Sequence, residues 1–221
     1  MVVVLVDPTD NSLYAPLPEP FSTYRLTRMR ASDAQQIHTI LRDSKVAGNL
    51  SSVPEPYTLK HAEAFVSSFI KKDSNHNADI EASLCADWSL SVIRDMSGIL
   101  VGSVNIRRNR WEGSDPNKAA TLVAENEKKV AGNESIQYSF YLSASAQSRG
   151  LMTAAVRTSL VLARKYMNLR YIEGICRDDN PASRRVLEKN GMKMEGMLVM
   201  PWKDAAQKKM LLFRRDMHLD P

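Results

Sequence analysis

From Tyr138 to Thr153 the chain reads Tyr-Ser-Phe-Tyr-Leu-Ser-Ala-Ser-Ala-Gln-Ser-Arg-Gly-Leu-Met-Thr. An alternating, aromatic-rich segment ends, a Ser/Ala turn follows, and a helical pattern opens at Gly150 with Arg149 just before it. Backbone N–H groups without partners converge at such a helix start, and the helix dipole favours negative charge there. Gly150 has no Cβ to keep a phosphate at a distance, and Arg149 adds a formal charge. This stretch predicts a phosphate or pyrophosphate site. About 30 residues on, Asp179-Asn180-Pro-Ala-Ser183-Arg-Arg-Val-Leu-Glu-Lys-Asn-Gly191-Met192 opens a second helix. Asn180 is a good N-cap with Pro181 at the first helical position. Asn180 and Ser183 therefore have a plain structural use, besides facing a ligand held at Gly150.

The elements that would position these residues follow from periodicity. Residues Ser135–Ser143 and Tyr171–Cys176 read as strands, and the helix between them, Gly150 to about Asn168, buries Met152, Val156, Leu160, Ala163 and Met167. A helix crossing between two strands makes them parallel neighbours, so both helix starts lie at one edge of the sheet. Upstream, Tyr24–Met29 alternates as a strand. A helix then starts at Ser32 with Gln35 completing a capping box, with Ala34, Ile37, Ile40 and Leu41 at its apolar positions. A second helix starts at Thr58, with Ala62, Phe65, Val66, Phe69 and Ile70 on one face. Trp88–Arg94 and Ile99–Ile106 form a hairpin around Asp95-Met96-Ser97-Gly98. Residues 44–57, 73–87 and 107–134 are connections, the last polar and weakly helical from Lys118 to Val130; Gly196–Met200 and Lys209–Arg214 are closing strands. The fold class is mixed α/β.

Composition narrows the partners. The chain has 221 residues, 43% hydrophobic and 25% charged, which excludes disorder and fibrous repeats. It lacks an apolar run of about 18 residues, so no membrane-spanning helix is expected. The apolar start Met1–Val6 ends at Asp7-Pro8 without a basic leader, and the N-x-S triplets at Asn49 and Asn133 then carry little meaning. Cys85 and Cys176 stand alone, and His38, His61, His76 and His218 show no ligand spacing, so no disulfide framework and no metal are expected. The expected compartment is the reducing cytoplasm. The net charge is +5, and the window 147–195 holds ten basic against five acidic residues, the whole excess. A local field of this sign suits a phosphorylated cofactor or nucleic acid, although no aromatic–basic stripe supports the latter.

These residues resemble the GNAT superfamily of acetyl-CoA-dependent N-acetyltransferases, most closely its RimJ/RimL-like branch. Gln147-Ser-Arg-Gly150-Leu-Met152 is similar to the family's Q/R-x-x-G-x-G/A pyrophosphate loop. Asn180-Pro-Ala-Ser183-Arg-Arg-Val-Leu-Glu-Lys-Asn-Gly191 is similar to its N-x-x-S-x-x-V-L-E-K-x-G segment. The resemblance runs from about 22 to 215. It implies a GNAT-like central mixed, mostly antiparallel sheet flanked by helices, with one parallel strand pair splayed around the CoA site. Residues 1–22 are then an N-terminal extension, and 23–221 the acetyltransferase domain with a long inserted loop at about 107–134. Three positions depart from the pattern: Met152 for Gly or Ala, Met192 for Phe, and Leu187 where many relatives carry a Tyr that protonates the departing thiolate.

The implied reaction is direct attack of a primary amine on the thioester of acetyl-CoA, with no metal. The donor would be held by Leu142, Ser143, Gln147, Ser148, Arg149, Gly150, Leu151, Met152, Thr153, Asn180 and Ser183. A lysine-like amine titrates near 10.4, so a carboxylate must take its proton, directly or through water; Glu173 is the leading candidate, with a salt bridge as its other reading. The thiol, with a pKa near 8.5, gains modestly from a proton donated by Ser183 or Tyr141. A backbone N–H near Leu142 and Ser143 would hold the oxyanion. Expected partners are an amine-bearing small molecule or a protein N-terminus, with no membrane, nucleic acid disfavoured, and a monomer or homodimer. The alternatives are an acyl-CoA-binding module without turnover and a basic nucleic-acid-binding domain.

Overall fold

Alternation of buried and exposed side chains along short β-branched and aromatic segments produces nine strands among the described residues. A computed structural model describes residues 2–50, 53–73, 88–111, 115–129, 135–201 and 207–218. The elements are β1 (Leu5–Val6), β2 (Leu13–Pro16), β3 (Tyr24–Thr27), α1 (Ala34–Leu41), α2 (Ser44–Ala47) and α3 (Leu59–Asp73). They continue with β4 (Val92–Asp95), β5 (Leu100–Arg108), α4 (Pro116–Glu127), β6 (Ile136–Leu142) and α5 (Leu151–Met167). The chain closes with β7 (Tyr171–Arg177), α6 (Pro181–Lys189), β8 (Lys193–Pro201) and β9 (Gln207–Asp216).

The strands form one sheet in the order β1-β2-β3-β4-β5-β6-β7-β9-β8. Every neighbouring pair is antiparallel except β6 and β7, which run parallel as a crossover helix requires. One face packs Ala155, Val156, Leu160 and Ala163 of α5 against Val104, Ile106, Tyr138 and Ile172. On the other face Ile37, Ile40 and Leu41 of α1 join Ala62 and Val66 of α3 over Val92 and Leu100. The expected architecture, a mostly antiparallel mixed sheet with a single parallel pair flanked by helices, is what the chain adopts.

Three local expectations change. Ser32 does not cap α1. It lies inside a 3-10 turn, Ala31–Asp33, and the Asp33 carboxylate accepts from the Arg30 N–H at 2.7 Å while Arg94, almost wholly buried, donates to it at 2.6 and 2.8 Å. The buried cation recruits the acid, and the turn shifts by one residue. The four-residue α2 was not expected in the 44–57 connection; Asp43 caps it by accepting from the Lys45 N–H. The first strand of the hairpin begins at Val92 rather than at Trp88. The apolar start and Pro-rich stretch add β1 and β2 to the sheet beside β3. Of the expected 73–87 connection, residues 74–87, with His76 and Cys85, lie outside the described residues.

Candidate functional site

Pairing of β6 with β7 stops at Tyr138 opposite Gly174. Beyond it, β6 runs on to Leu142 against β5, and β7 runs on to Arg177 against β9. Residues 139–142 and 175–177 therefore border a wedge within the sheet. Two close contacts hold this shape. Gly174 lets α6 approach, since a Cβ there would sit 2.7 Å from a Leu187 methyl and 3.3 Å from the Met192 sulfur. Asn180 caps α6 by accepting from the Ser183 N–H at 3.1 Å, which sets that helix start at the wedge mouth.

The backbone direction inside the wedge can be worked out from one bond. The Ser143 N–H donates to the Val101 carbonyl at 2.8 Å. Residues on an antiparallel strand alternate in the edge they address, so Tyr141 and Ser143 bond to β5 while Phe140 and Leu142 turn their N–H and C=O toward the wedge. The Gln147 side chain donating to the Leu142 carbonyl at 3.0 Å agrees with that direction. Phe140 is thus a backbone donor that sequence reasoning missed; only the strand register reveals it.

The wedge opens into a cleft of about 410 Å³. Tyr141, Leu142, Gln147, Ser148, Gly150, Leu151, Met152, Thr153, Asn180 and Ser183, ten of the residues singled out from sequence, line it together. Gly150 adopts φ +86°, and α5 starts there with no side-chain acceptor, so its first N–H groups are left for a ligand. The Met152 side chain turns into the core and leaves only its backbone to shape the turn. Phe21, from the turn before β3, lies over Gly150, 3.4 Å from where a Cβ would stand. Lys45, Arg107, Arg185 and Lys189 supply positive charge, and no Asp or Glu is among the described lining residues. A polyphosphate fits such walls: cationic, acid-free, and opened by a glycine at an uncapped helix start.

Ser183 accepts from the Asn180 side-chain amide at 3.0 Å, so its own proton is the one left to donate. The Tyr141 hydroxyl lies on the α1–α3 side of the sheet. Burial pushes its pKa up, the charges of Tyr57 and Asp33 push it further, and the Ser103 hydroxyl opposes them. Arg149 is exposed and does not line the cleft. Ser143 stands at the margin with its N–H engaged and its hydroxyl 3.3 Å from that of Ser145. Glu173 also stands apart: it receives Arg214 at 2.6 and 3.2 Å and Asn109 at 2.7 Å, and lies outside the cleft lining although it pairs with the cleft-lining Gln137 in the β6–β7 register. Leu187 is buried against Gly174. Cys176 lines the cleft, but burial raises its thiol to about 11, with Glu188 adding to the shift and Arg184 opposing it. Among the described residues no His/Cys/Asp/Glu group could hold a metal ion, and no helix is long and apolar enough to cross a membrane.

One further contact shapes the cleft. Arg177, at the end of β7, donates to the Gly48 carbonyl at 2.8 Å and pairs with Asp179. It ties the end of α2 to the far strand across 129 residues of sequence, and α2 with the residues after it contributes Lys45, Val46, Asn49 and Leu50 to the cleft wall.

A family model described as an acetyltransferase (GNAT) domain matches residues 24–193. No curated protein matches the chain. Solved structures share the fold. An acetyltransferase of the GNAT family from Bacillus anthracis superposes with a TM-score of 0.65 at 16% identity, covering 93% of this chain and 99% of that one. RimL, a ribosomal L7/L12 alpha-N-protein acetyltransferase in complex with coenzyme A, gives 0.63 at 15% identity over 94% and 99%. Spermidine N-acetyltransferase from Vibrio cholerae, with CoA and spermine, gives 0.61 at 16% identity over 89% and 97%.

Proposed function

The chain belongs to the GNAT acetyltransferase family, and on that premise we propose that it transfers an acetyl group from acetyl-CoA to a primary amine by direct attack. The observation that carries this reading is the wedge between β6 and β7, leading from exposed strand amides to the uncapped, cationic start of α5. The N–H groups of Leu151, Met152 and Thr153, with Arg185 and Lys189, hold the phosphates. Gln147 and Ser148 fix the turn, and Asn180 and Ser183 close the mouth of the wedge. Arg149 and Ser143 contribute from the rim. When bound, acetyl-CoA supplies a thioester carbonyl open to an amine. The Phe140 and Leu142 N–H groups are aimed to stabilise negative charge on that oxygen, the effect of a fixed donor where charge develops. Ser183 donates a proton toward the leaving sulfur, with Tyr141 a more remote alternative behind its raised pKa. Glu173, opposite Gln137 in the β6–β7 register, takes the amine proton through water rather than by contact.

The acceptor is an amine-bearing small molecule or a protein N-terminus. The RimJ/RimL-like motif at Asn180–Gly191 and the likeness to RimL support the second, while the spermidine enzyme shares the fold equally well. The reading takes residues 23–221 as the catalytic domain, with residues 1–22 contributing Phe21 over the donor turn. A second reading, acyl-CoA binding without turnover, is favoured by the absence of a carboxylate among the described cleft residues. Calorimetric titration with acetyl-CoA at two salt concentrations tests the donor site, and Gly150→Glu should abolish binding while the fold persists. Unchanged binding in that variant refutes the site. Thiol release with amines then separates transferase from binding module.

A further inference from the structure

The cleft passes through the sheet, and its two sides differ in character. Residues directly opposite one another on neighbouring strands share a face. Gln137 pairs with Glu173, so Gln137, Ser139 and Tyr141 of β6 share a face with Ile175 and Arg177 of β7. Arg177 pairs with Met210, and Met210 with Leu198, which carries that face on to Met200 near the end of β8. Tyr141 packs with the α1–α3 core, so this is the face opposite α5. On it Ile175, Met210 and Met200 make a diagonal apolar row along the cleft, with both methionines buried. Val46 and Leu50 line the same cleft and belong to the core on that face. The bond from Arg177 to the Gly48 carbonyl joins this α2 wall to the strands.

Where an amine would sit follows from the ladder. The Asp178 N–H donates to the Lys209 carbonyl and the Met217 N–H to the Arg170 carbonyl. Even-numbered residues of β7 therefore address β9, and odd-numbered ones address β6. Pairing with β6 ends at Gly174, so the Ile175 carbonyl is the first on β7 turned into the wedge without a strand partner. A primary amine donates to such a carbonyl. Held there, it presents its substituent to the Ile175 side chain, at the head of the apolar row. Apolar surface buried in that place is rewarded in proportion to its area, and thioether side chains adapt to its shape. Gln137, Ser139 and Asn49 add polar groups to the same cleft. An amine flanked by an apolar group on one side and an amide on the other is the first residue of a peptide.

We propose that the acceptor is a peptide N-terminus whose first side chain is apolar and packs among Val46, Leu50, Ile175, Met200 and Met210, with its amine at the Ile175 carbonyl. The inference rests on the transferase reading above and adds the acceptor's class to it.

Peptides identical but for a first residue of leucine or serine are the probes. Isoamylamine joins them, since it keeps leucine's side chain and amine and lacks the amide. The leucine peptide should exceed the serine peptide in kcat/KM by about tenfold or more, the discrimination an apolar pocket of this kind supplies. Isoamylamine should fall below the leucine peptide by a similar factor. Met200→Gln and Leu50→Gln, one from each wall, should each lower the leucine-to-serine ratio at least threefold. Leu50 is only partly buried in the turn after α2, so its variant keeps the fold even where Met200→Gln does not. Equal kcat/KM for the two peptides, or an unchanged ratio in Leu50→Gln, overturns the apolar wall. Isoamylamine matching the leucine peptide overturns the assignment to a peptide. Binding of acetyl-CoA without acetylation of any amine defeats the transferase reading instead. Calorimetric binding of the leucine peptide to CoA-loaded wild type, against CoA-loaded Leu50→Gln, then still decides the wall.

Discussion

Replacing Arg177 by alanine should loosen one wall of the cleft and leave the rest of the molecule intact. The segment it holds is weak by itself, because a four-residue helix such as α2 is far below the length that sustains itself in water. Val46 and Ala47 are buried in the α1–α3 core, so the segment stays attached at its base when the clasp is lost. What disappears is a charge-assisted hydrogen bond to the Gly48 carbonyl at 2.8 Å, with a pair to Asp179 that is more than half exposed on the acid's side. A bond of the first kind contributes about 1.5–3 kcal/mol and a surface pair about 0–1 kcal/mol. Water re-solvates both partners, so about 1.5 kcal/mol of closure is lost, roughly a tenfold rise in the open population. Amide hydrogen exchange reads this directly: residues 44–50 should exchange about tenfold faster in Arg177→Ala, with 151–167 unchanged. Acetyl-CoA affinity should hold, while hydrolysis of acetyl-CoA without acceptor should rise as water gains the cleft. Arg177→Lys should fall between, since one ammonium cannot reach both partners with the planar fork of the guanidinium. Unchanged exchange at 44–50, or an equal acceleration along 151–167, would show that the clasp does not hold the wall.

Three further outcomes are expected. Leu187→Ala should destabilise by about 2–5 kcal/mol in urea denaturation, because Leu187 is 1% exposed and fills the space left by Gly174; a loss under about 1 kcal/mol would place it outside the core. Asp33→Asn should cost about 3–5 kcal/mol, since it leaves the buried Arg94 guanidinium without its counter-charge; an unshifted urea midpoint would contradict that account. With the Cys176 thiol raised to about 11 from an ordinary 9, its thiolate at neutral pH is about a hundredfold scarcer, so iodoacetamide should react slowly and accelerate until about pH 11. In the same window, from about 9 to 11, the unfolded thiol releases its proton and the folded one does not, so stability falls as pH rises; a rate plateau near pH 9 would refute the shift.

Periodicity and punctuation made the strongly patterned elements legible before any coordinates: α5 from Gly150, α6 from Asn180-Pro181, and the Gly98 hairpin are local statements that the chain makes about itself. The parallel pair followed from connection rules, whereas the splay that opens the wedge was implied only by the family resemblance. What was not legible depended on partners distant in sequence. Asp33 displaced Ser32 at the start of α1 because Arg94, 61 residues away, is buried beside it. Arg177 reaching Gly48 and Phe21 covering Gly150 leave no trace in local pattern. Glu173 has the right type and strand for a base, yet Arg214 and Asn109 surround it, and their arrival depends on the β7–β9 register and on the turn at Asn109. The role of the Phe140 backbone amide is likewise silent in the sequence, because which edge an amide addresses is set by register rather than by residue type.

The ring of Phe21 over Gly150 makes residues 2–22 part of the turn proposed to hold the donor. Residues 2–22 are joined to the sheet through β2 and β3, so whatever shifts that hairpin shifts the ring as well. A fusion placed ahead of Val2, or a cut before Tyr24, would therefore register as altered grip on the nucleotide rather than as a harmless change at a terminus. The same coupling offers an optical handle: an indole in place of the Phe21 ring would put a fluorophore over the phosphate turn and report its occupancy without any knowledge of the acceptor.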